Sequence, residues 1–323
     1  MPNDQPNAGG ASPMYIVDEY PREHYVPVAT AGAYKHVLLA GTGGVGDTWI
    51  CVRSPSAAAV ASASETPAEE GGQIPLYAVK IPSMRKQDFL PQEITALQHV
   101  ASIPAPTNRH IQKYVDHDQS GRSKDANWLA SEAVIGCTLL QMIQAAGDML
   151  TPLPKPLVLT IALQLCDALQ ALRDMDSQFS HGDLALSNIM LDLEERGDKG
   201  APTVVVIDFG RGHSRTSPHE YDLDLSTFYR VVGKIAELQR DPTADQDPLW
   251  DSFVGFVASS NCSFDKAPYE TFRTQFQAYG NKILDSMSEE DGEVMDAMLK
   301  EASKVMLKAR AMAKEAVDKQ NQD

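Results

Sequence analysis

The sequence predicts an α+β fold, with a β-rich first third and an α-helical remainder. Three observations carry this. Short runs rich in β-branched and aromatic residues, at 35–40, 47–53, 76–81 and 128–134, all fall before residue 135. Beyond it, apolar residues recur at helical spacing, as in Ile161, Leu165, Ala168, Leu169 and Leu172. The text changes at Ile135-Gly136, where a glycine interrupts the last of the early strands.

The bulk numbers bound the function. The chain has 323 residues and is 43% apolar, enough for one large domain or two small ones with a substantial core. A formal net charge of −16 argues against DNA or RNA as partner, since a phosphate backbone needs a basic footprint. It leaves a nucleotide open, because one pocket can be basic on an acidic protein. The four cysteines, Cys51, Cys137, Cys166 and Cys262, are unclustered, which fits a reducing compartment and carries no zinc signature. No basic segment followed by an apolar run opens the chain, and no apolar run approaches the ~20 residues needed to span a bilayer. The expectation is an intracellular protein without a membrane partner, with the cytoplasm favoured and the nucleus the alternative, of open oligomeric state.

Taken in order, residues 1–33 form an N-terminal extension expected to be largely disordered. Its start is mostly Pro, Asn, Gly, Ala and Ser, which bury too little apolar surface to offset ordering entropy. A strand over 35–40 runs into Gly41-Thr42-Gly43-Gly44-Val45-Gly46, and a second strand follows. A dinucleotide-binding unit would place a helix after the glycines, so strand, turn, strand excludes it. Residues 54–73 are a low-complexity insertion of Ser, Ala, Pro, Glu and Gly. A strand over 76–81 contains Ala78-Val79-Lys80, whose alternation sets Ala78 and Lys80 on one face and Val79 on the other. A helix over 91–100 carries Glu93 in Glu93-Ile94-Thr95-Ala96-Leu97. Helices are predicted at 139–146, 157–175, 223–239, 250–259 and 269–286. A single long one is predicted over 288–319, read as the outer layer of the helical part. Strands at 189–193 and 203–207 flank a polar turn at 194–202.

One stretch organises the rest. His181-Gly182-Asp183-Leu184-Ala185-Leu186-Ser187-Asn188 has an Asp with an Asn five residues on, and Val204 to Ile207 ends in Asp208-Phe209-Gly210. Two acids and an amide of this kind can place a hydroxyl, a metal ion and a triphosphate in line. Upstream, Gly41, Gly43 and Gly46 let backbone N–H groups approach phosphate oxygens that a Cβ would block. A lysine such as Lys80, facing a cleft, can pair with phosphates. Each motif has a bland explanation: a glycine hairpin, a solvated edge lysine, an exposed helix carboxylate, a turn aspartate, a cap asparagine. Those explanations do not account for all five in this order.

With these residues placed, residues 34–240 resemble the protein kinase family. The resemblance implies a two-lobed fold, with an N-lobe at 34–134 and a C-lobe at 135–323. It implies ATP and Mg2+ as cofactors. Gly41, Gly43, Gly46, Val45, Ala78 and Lys80 would bind the nucleotide, with Glu132 and Val134 of Glu132-Ala133-Val134 supplying backbone contacts to adenine. Glu93 would hold Lys80, Asp183 would orient the attacking hydroxyl or take its proton, and Asn188 and Asp208 would bind the metal. Ser131 would take the position behind adenine, Met190 or Leu191 the floor beneath it. Asp222 or Asp224 would brace the catalytic loop. Two departures matter. Gly182 stands where the family has an arginine that pairs with a phosphorylated activation segment, so control by that phosphorylation is not expected. The segment after Asp208 is short, with Ser217-Pro218-His219-Glu220 a faint echo of the family's peptide platform. His181-Gly182-Asp183 followed by Leu184-Ala185-Leu186-Ser187-Asn188 is similar to the loop of the compact kinase subunit of the KEOPS complex and to that of aminoglycoside and choline kinase-like enzymes. The resemblance therefore implies a protein kinase acting on Ser/Thr hydroxyls. A small-molecule kinase and a kinase-like binding scaffold are the alternatives.

Overall fold

A computed structural model describes residues 29–30, 32–43, 46–54, 74–82, 90–119, 127–175, 178–197, 200–214, 223–239, 247–262 and 267–320. The expectations for residues 1–28, the 55–73 insertion, Val45, Asp222 and the 217–220 segment lie outside those residues. The described chain is mixed α/β, β-rich at its N-terminal end and helical beyond.

Five antiparallel strands form the first sheet, in the order β1-β2-β3-β5-β4. They are β1 (Tyr34–Thr42), β2 (Gly46–Arg53), β3 (Tyr77–Pro82), β4 (Tyr114–His117) and β5 (Leu129–Glu132). Period-two alternation divides the faces. Trp49, Cys51, Val79 and Ala130 pack with Tyr34 and Trp128 on one side. Thr48, Ile50, Ala78, Lys80, Leu129 and Ser131 face a cleft on the other. The expected hairpin is present, closed by Gly43 N–H donating to the Gly46 carbonyl at 2.8 Å. Gly46 has a second reason to be glycine: a Cβ there would sit 2.1 Å from the Ile81 carbonyl oxygen. Helix α1 (Leu90–Val100) buries Glu93, Ile94, Leu97 and Val100. That spacing puts one carboxylate on the apolar stripe rather than on the solvated face.

Past β5 the chain forms β6 (Gly136–Thr138), then α2 (Leu139–Met149), α3 (Lys155–Arg173), β7 (Phe179–Ser180), β8 (Ile189–Arg196), β9 (Pro202–Val206) and β10 (His213–Ser214). A three-stranded sheet, β6-β8-β9, lies at the base of the cleft. Gly136 does more than end a strand, because a Cβ on it would fall 1.7 Å from the Leu191 carbonyl oxygen. Helix α3 is long and apolar enough, at 19 residues, to cross a bilayer by length and composition. Leu157, Ile161, Leu165, Cys166, Leu169 and Leu172 are all sealed in the core, so that apolar surface is spent on packing. Helices α4 (Leu223–Glu237), α5 (Pro248–Cys262) and α6 (Tyr269–Asp285) follow. Phe228, Phe253 and Phe272 meet edge-on between them.

The C-terminal end differs from expectation. The single helix predicted over 288–319 is two, α7 (Glu289–Ala302) and α8 (Lys304–Gln320). Ser303 interrupts them, but the apolar period runs on from Met295 and Met298 to Met306 and Ala309, so periodicity conceals the break. The two halves bury their stripes against different bodies. Helix α7 packs on α2 and β6, whereas α8 crosses to β1 and β2. The outer-layer reading of this segment is therefore corrected: Met306, Ala309 and Ala313 share an apolar cluster with Ile50, Leu76 and Ile135.

Candidate active site

A cleft of about 410 Å3 lies between the five-stranded sheet and the helical region. Gly41, Gly43, Gly46, Ala78, Lys80, Glu93, Glu132, Val134, Asn188 and Asp208 all line it. Residues separated by up to 167 positions in the sequence thus share one cavity. Thr48 and Ile50 are the cleft-facing side chains of β2, and the motif reading missed both. Of the two floor candidates, Met190 faces the cleft and Leu191 is sealed in the core.

One corner is tightly paired. Lys80 Nζ lies 2.6 Å from Glu93 Oε2 and 3.1 Å from Asp208 Oδ1. Glu93 is 2% exposed, so its ion pair forms out of water. Burial alone would lower Lys80, but the Glu93 and Asp208 carboxylates outweigh it and hold the ammonium above its ordinary value. Burial holds Glu93 above its ordinary value, with Lys80, 2.6 Å away, opposing the push and Asp208 adding to it. Asp208 adopts φ +65°, a left-handed backbone that a short polar residue tolerates best. Gln112, which no local signal marks, holds it there. Its Oε1 accepts from Asp208 N–H at 2.8 Å and its Nε2 donates to Ser131 Oγ at 2.9 Å.

The loop carrying Asp183 is braced from below. Buried Asp224 accepts from Ser180 Oγ at 2.8 Å, His181 N–H at 2.6 Å and Gly182 N–H at 3.0 Å. His181 accepts the Asp183 N–H at Nδ1, 3.3 Å away, so Nε2 carries the proton it gives to the Ile207 carbonyl at 2.9 Å. The imidazole also meets the Phe209 ring edge-on at 4.7 Å. Gly182 has φ +74°, and a Cβ there would sit 2.5 Å from the Arg211 carbonyl oxygen. Its identity follows from this backbone, which has no room for a side chain.

Asp183 is not among the residues that line the cleft; its side chain is 47% exposed, and Arg211 lies 3.8 Å from it. Asn188 Nδ2 donates to the Asp183 carbonyl at 2.9 Å, which fixes the amide beside the loop. Among the described residues, no group of three or more His, Cys, Asp and Glu side chains is placed to hold a metal ion. Asn188 and Asp208 nonetheless offer hard oxygen donors into one cleft. That donor set fits Mg2+, which takes one or two protein oxygens and fills its remaining positions with phosphate oxygens and water.

No protein-family model matches the chain, and no curated protein matches it either.

Proposed function

We propose that this protein is a Mg-ATP-dependent phosphotransferase with a two-lobed protein kinase-like fold, acting on protein Ser/Thr hydroxyls. The observation that carries the reading is the three-way contact of Lys80 with Glu93 and Asp208 in the cleft, with the Asp183 carbonyl bonded to cleft-lining Asn188. In this reading Lys80 binds the α- and β-phosphates, and Glu93 keeps the ammonium aimed at them. The glycine hairpin covers the triphosphate with backbone N–H groups. Asn188 and Asp208 hold Mg2+, which when bound neutralises charge developing on the phosphate oxygens. Asp183 accepts a hydrogen bond from the substrate hydroxyl and orients it. The hydroxyl oxygen bonds to the γ-phosphorus as the bond to the bridging oxygen breaks, ADP leaves, and the hydroxyl proton passes to Asp183 or water. Nucleic acid and membrane are no part of this reading, and its setting is the cytoplasm.

The second reading is a small-molecule kinase. It is favoured by Gly182, whose backbone excludes a phospho-segment arginine, and by the short stretch after Asp208. A coupled ADP-release assay separates the readings. The purified protein is offered protein mixtures in one arm and aminoglycosides, choline and sugars in the other. ADP release with protein, abolished in Asp183→Ala, is the expected result. Release only with a small molecule selects the second reading. Absence of release from any acceptor, together with no autophosphorylation, leaves a binding scaffold instead.

A further inference from the structure

The cleft has a wall that no motif in the sequence announces, and the C-terminal end of the chain builds it. Ala302, Val305 and Met306 line the same cavity as Ala78 and Lys80. Met306 packs with Ile50 and Leu76, and Ala78 rests on that same cluster. Ile50 lies directly opposite Ala78 in the β2–β3 register, so the roof of the cleft and this wall are one apolar body.

Two further features place a ligand against it. Val305 is 48% exposed although it faces a cavity, and an apolar flat ring would cover that surface. The charged residues Lys80, Glu93 and Asp208 gather in one ion-paired corner, and Val305 and Met306 add apolar surface to the same cleft. The helix is also tethered on both sides of the Ile135-Gly136 connection. Arg310 holds Glu194 of β8 through Nε at 2.7 Å and Nη2 at 2.9 Å, and Nη1 donates to the Ile74 carbonyl just before β3.

We propose that Val305 and Met306 are base-contacting residues of the nucleotide site, which makes α8 a third wall beside the two bodies that form the cleft. The inference rests on the phosphotransferase reading.

Titration calorimetry with two probes, Mg-ATP and Mg-tripolyphosphate, tests it on the full chain. Val305→Ser and Met306→Ala are each expected to weaken Mg-ATP binding about three- to tenfold, the loss of one or two apolar contacts. Mg-tripolyphosphate, which has no base, should bind the variants and the wild type within about twofold by the same reasoning. Val305→Ser guards against misfolding, since a half-exposed side chain can be shortened without opening the core, and its thermal melting should match the wild type. Unchanged Mg-ATP affinity in Val305→Ser overturns the proposal, as does an equal fall for both probes. Wild-type protein that binds tripolyphosphate as tightly as ATP overturns it while leaving the phosphate site standing. Wild-type protein that binds neither probe overturns the phosphotransferase reading and this inference together.

Discussion

The two ends of the proposed catalytic arrangement are built in opposite ways. At the Lys80 corner, Glu93 is 2% exposed, and the lysine touches two carboxylates within 3.1 Å. At Asp183 the side chain is 47% exposed and Arg211 lies 3.8 Å away. The loop beneath it is nevertheless as firmly held as the corner, by Asp224 and His181. Rigid backbone under an open side chain suits a group that must meet a variable acceptor. Buried, fully paired charge suits a group that always meets the same phosphates.

Breaking each end should give different losses. The largest is at the exposed end: Asp183→Asn should lower phosphoryl transfer by about 10³-fold while thermal melting stays at the wild-type value, as assay and calorimetry together would show. Beneath the loop, Asp224→Ala strands three donors, and chemical denaturation should report a loss of about 3 kcal/mol. Gly182→Ala forces a β-carbon onto the Arg211 carbonyl in a left-handed backbone, and the same measurement should show a loss of about 2 kcal/mol. The corner should reveal itself through pH. Its lysine is held above the ordinary value, so its stabilising contribution is whole below the unfolded pKa of about 10.4 and is lost as pH rises through the folded one. Between those two values the wild type should lose up to about 1.4 kcal/mol per pH unit more than Lys80→Met; equal slopes would place the lysine outside a paired site.

Much of this contrast was legible in the sequence, and the reason is local. The glycine hairpin, the Ala78-Val79-Lys80 alternation, the Glu93 helix and the two aspartate motifs are each written within a few residues, and the structure brings residues of each to one cavity, the first aspartate motif through Asn188 rather than Asp183. What escaped is what depends on distant partners. Gln112 lies between elements and has no pattern of its own, yet it ties Asp208 to Ser131. Strands as short as Tyr114–His117 and Gly136–Thr138 carry too few residues to show a period. Glu194 looked like part of a polar turn and proves to be the anchor of Arg310, 116 residues on. The break at Ser303 leaves the apolar period intact, so the sequence could not say that α8 leaves the helical region for the sheet. Val45, taken as a nucleotide contact from its place in the hairpin, lies outside the described residues, and Thr48 and Ile50 supply the β2 side chains in the cleft.

The central claim is that this cleft binds Mg-nucleotide through the paired corner and acts on an acceptor at Asp183. Equilibrium binding of Mg-ATP to wild type, Asp208→Ala and Asp183→Asn tests it most directly. Metal-dependent binding should be kept in Asp183→Asn and weakened at least tenfold in Asp208→Ala, about 1.4 kcal/mol or more. Saturating Mg-ATP should also raise wild-type stability by mass action, about 2.7 kcal/mol at a hundredfold excess over Kd. Binding that is absent from the wild type, or that is indifferent to Asp208→Ala, would contradict the account.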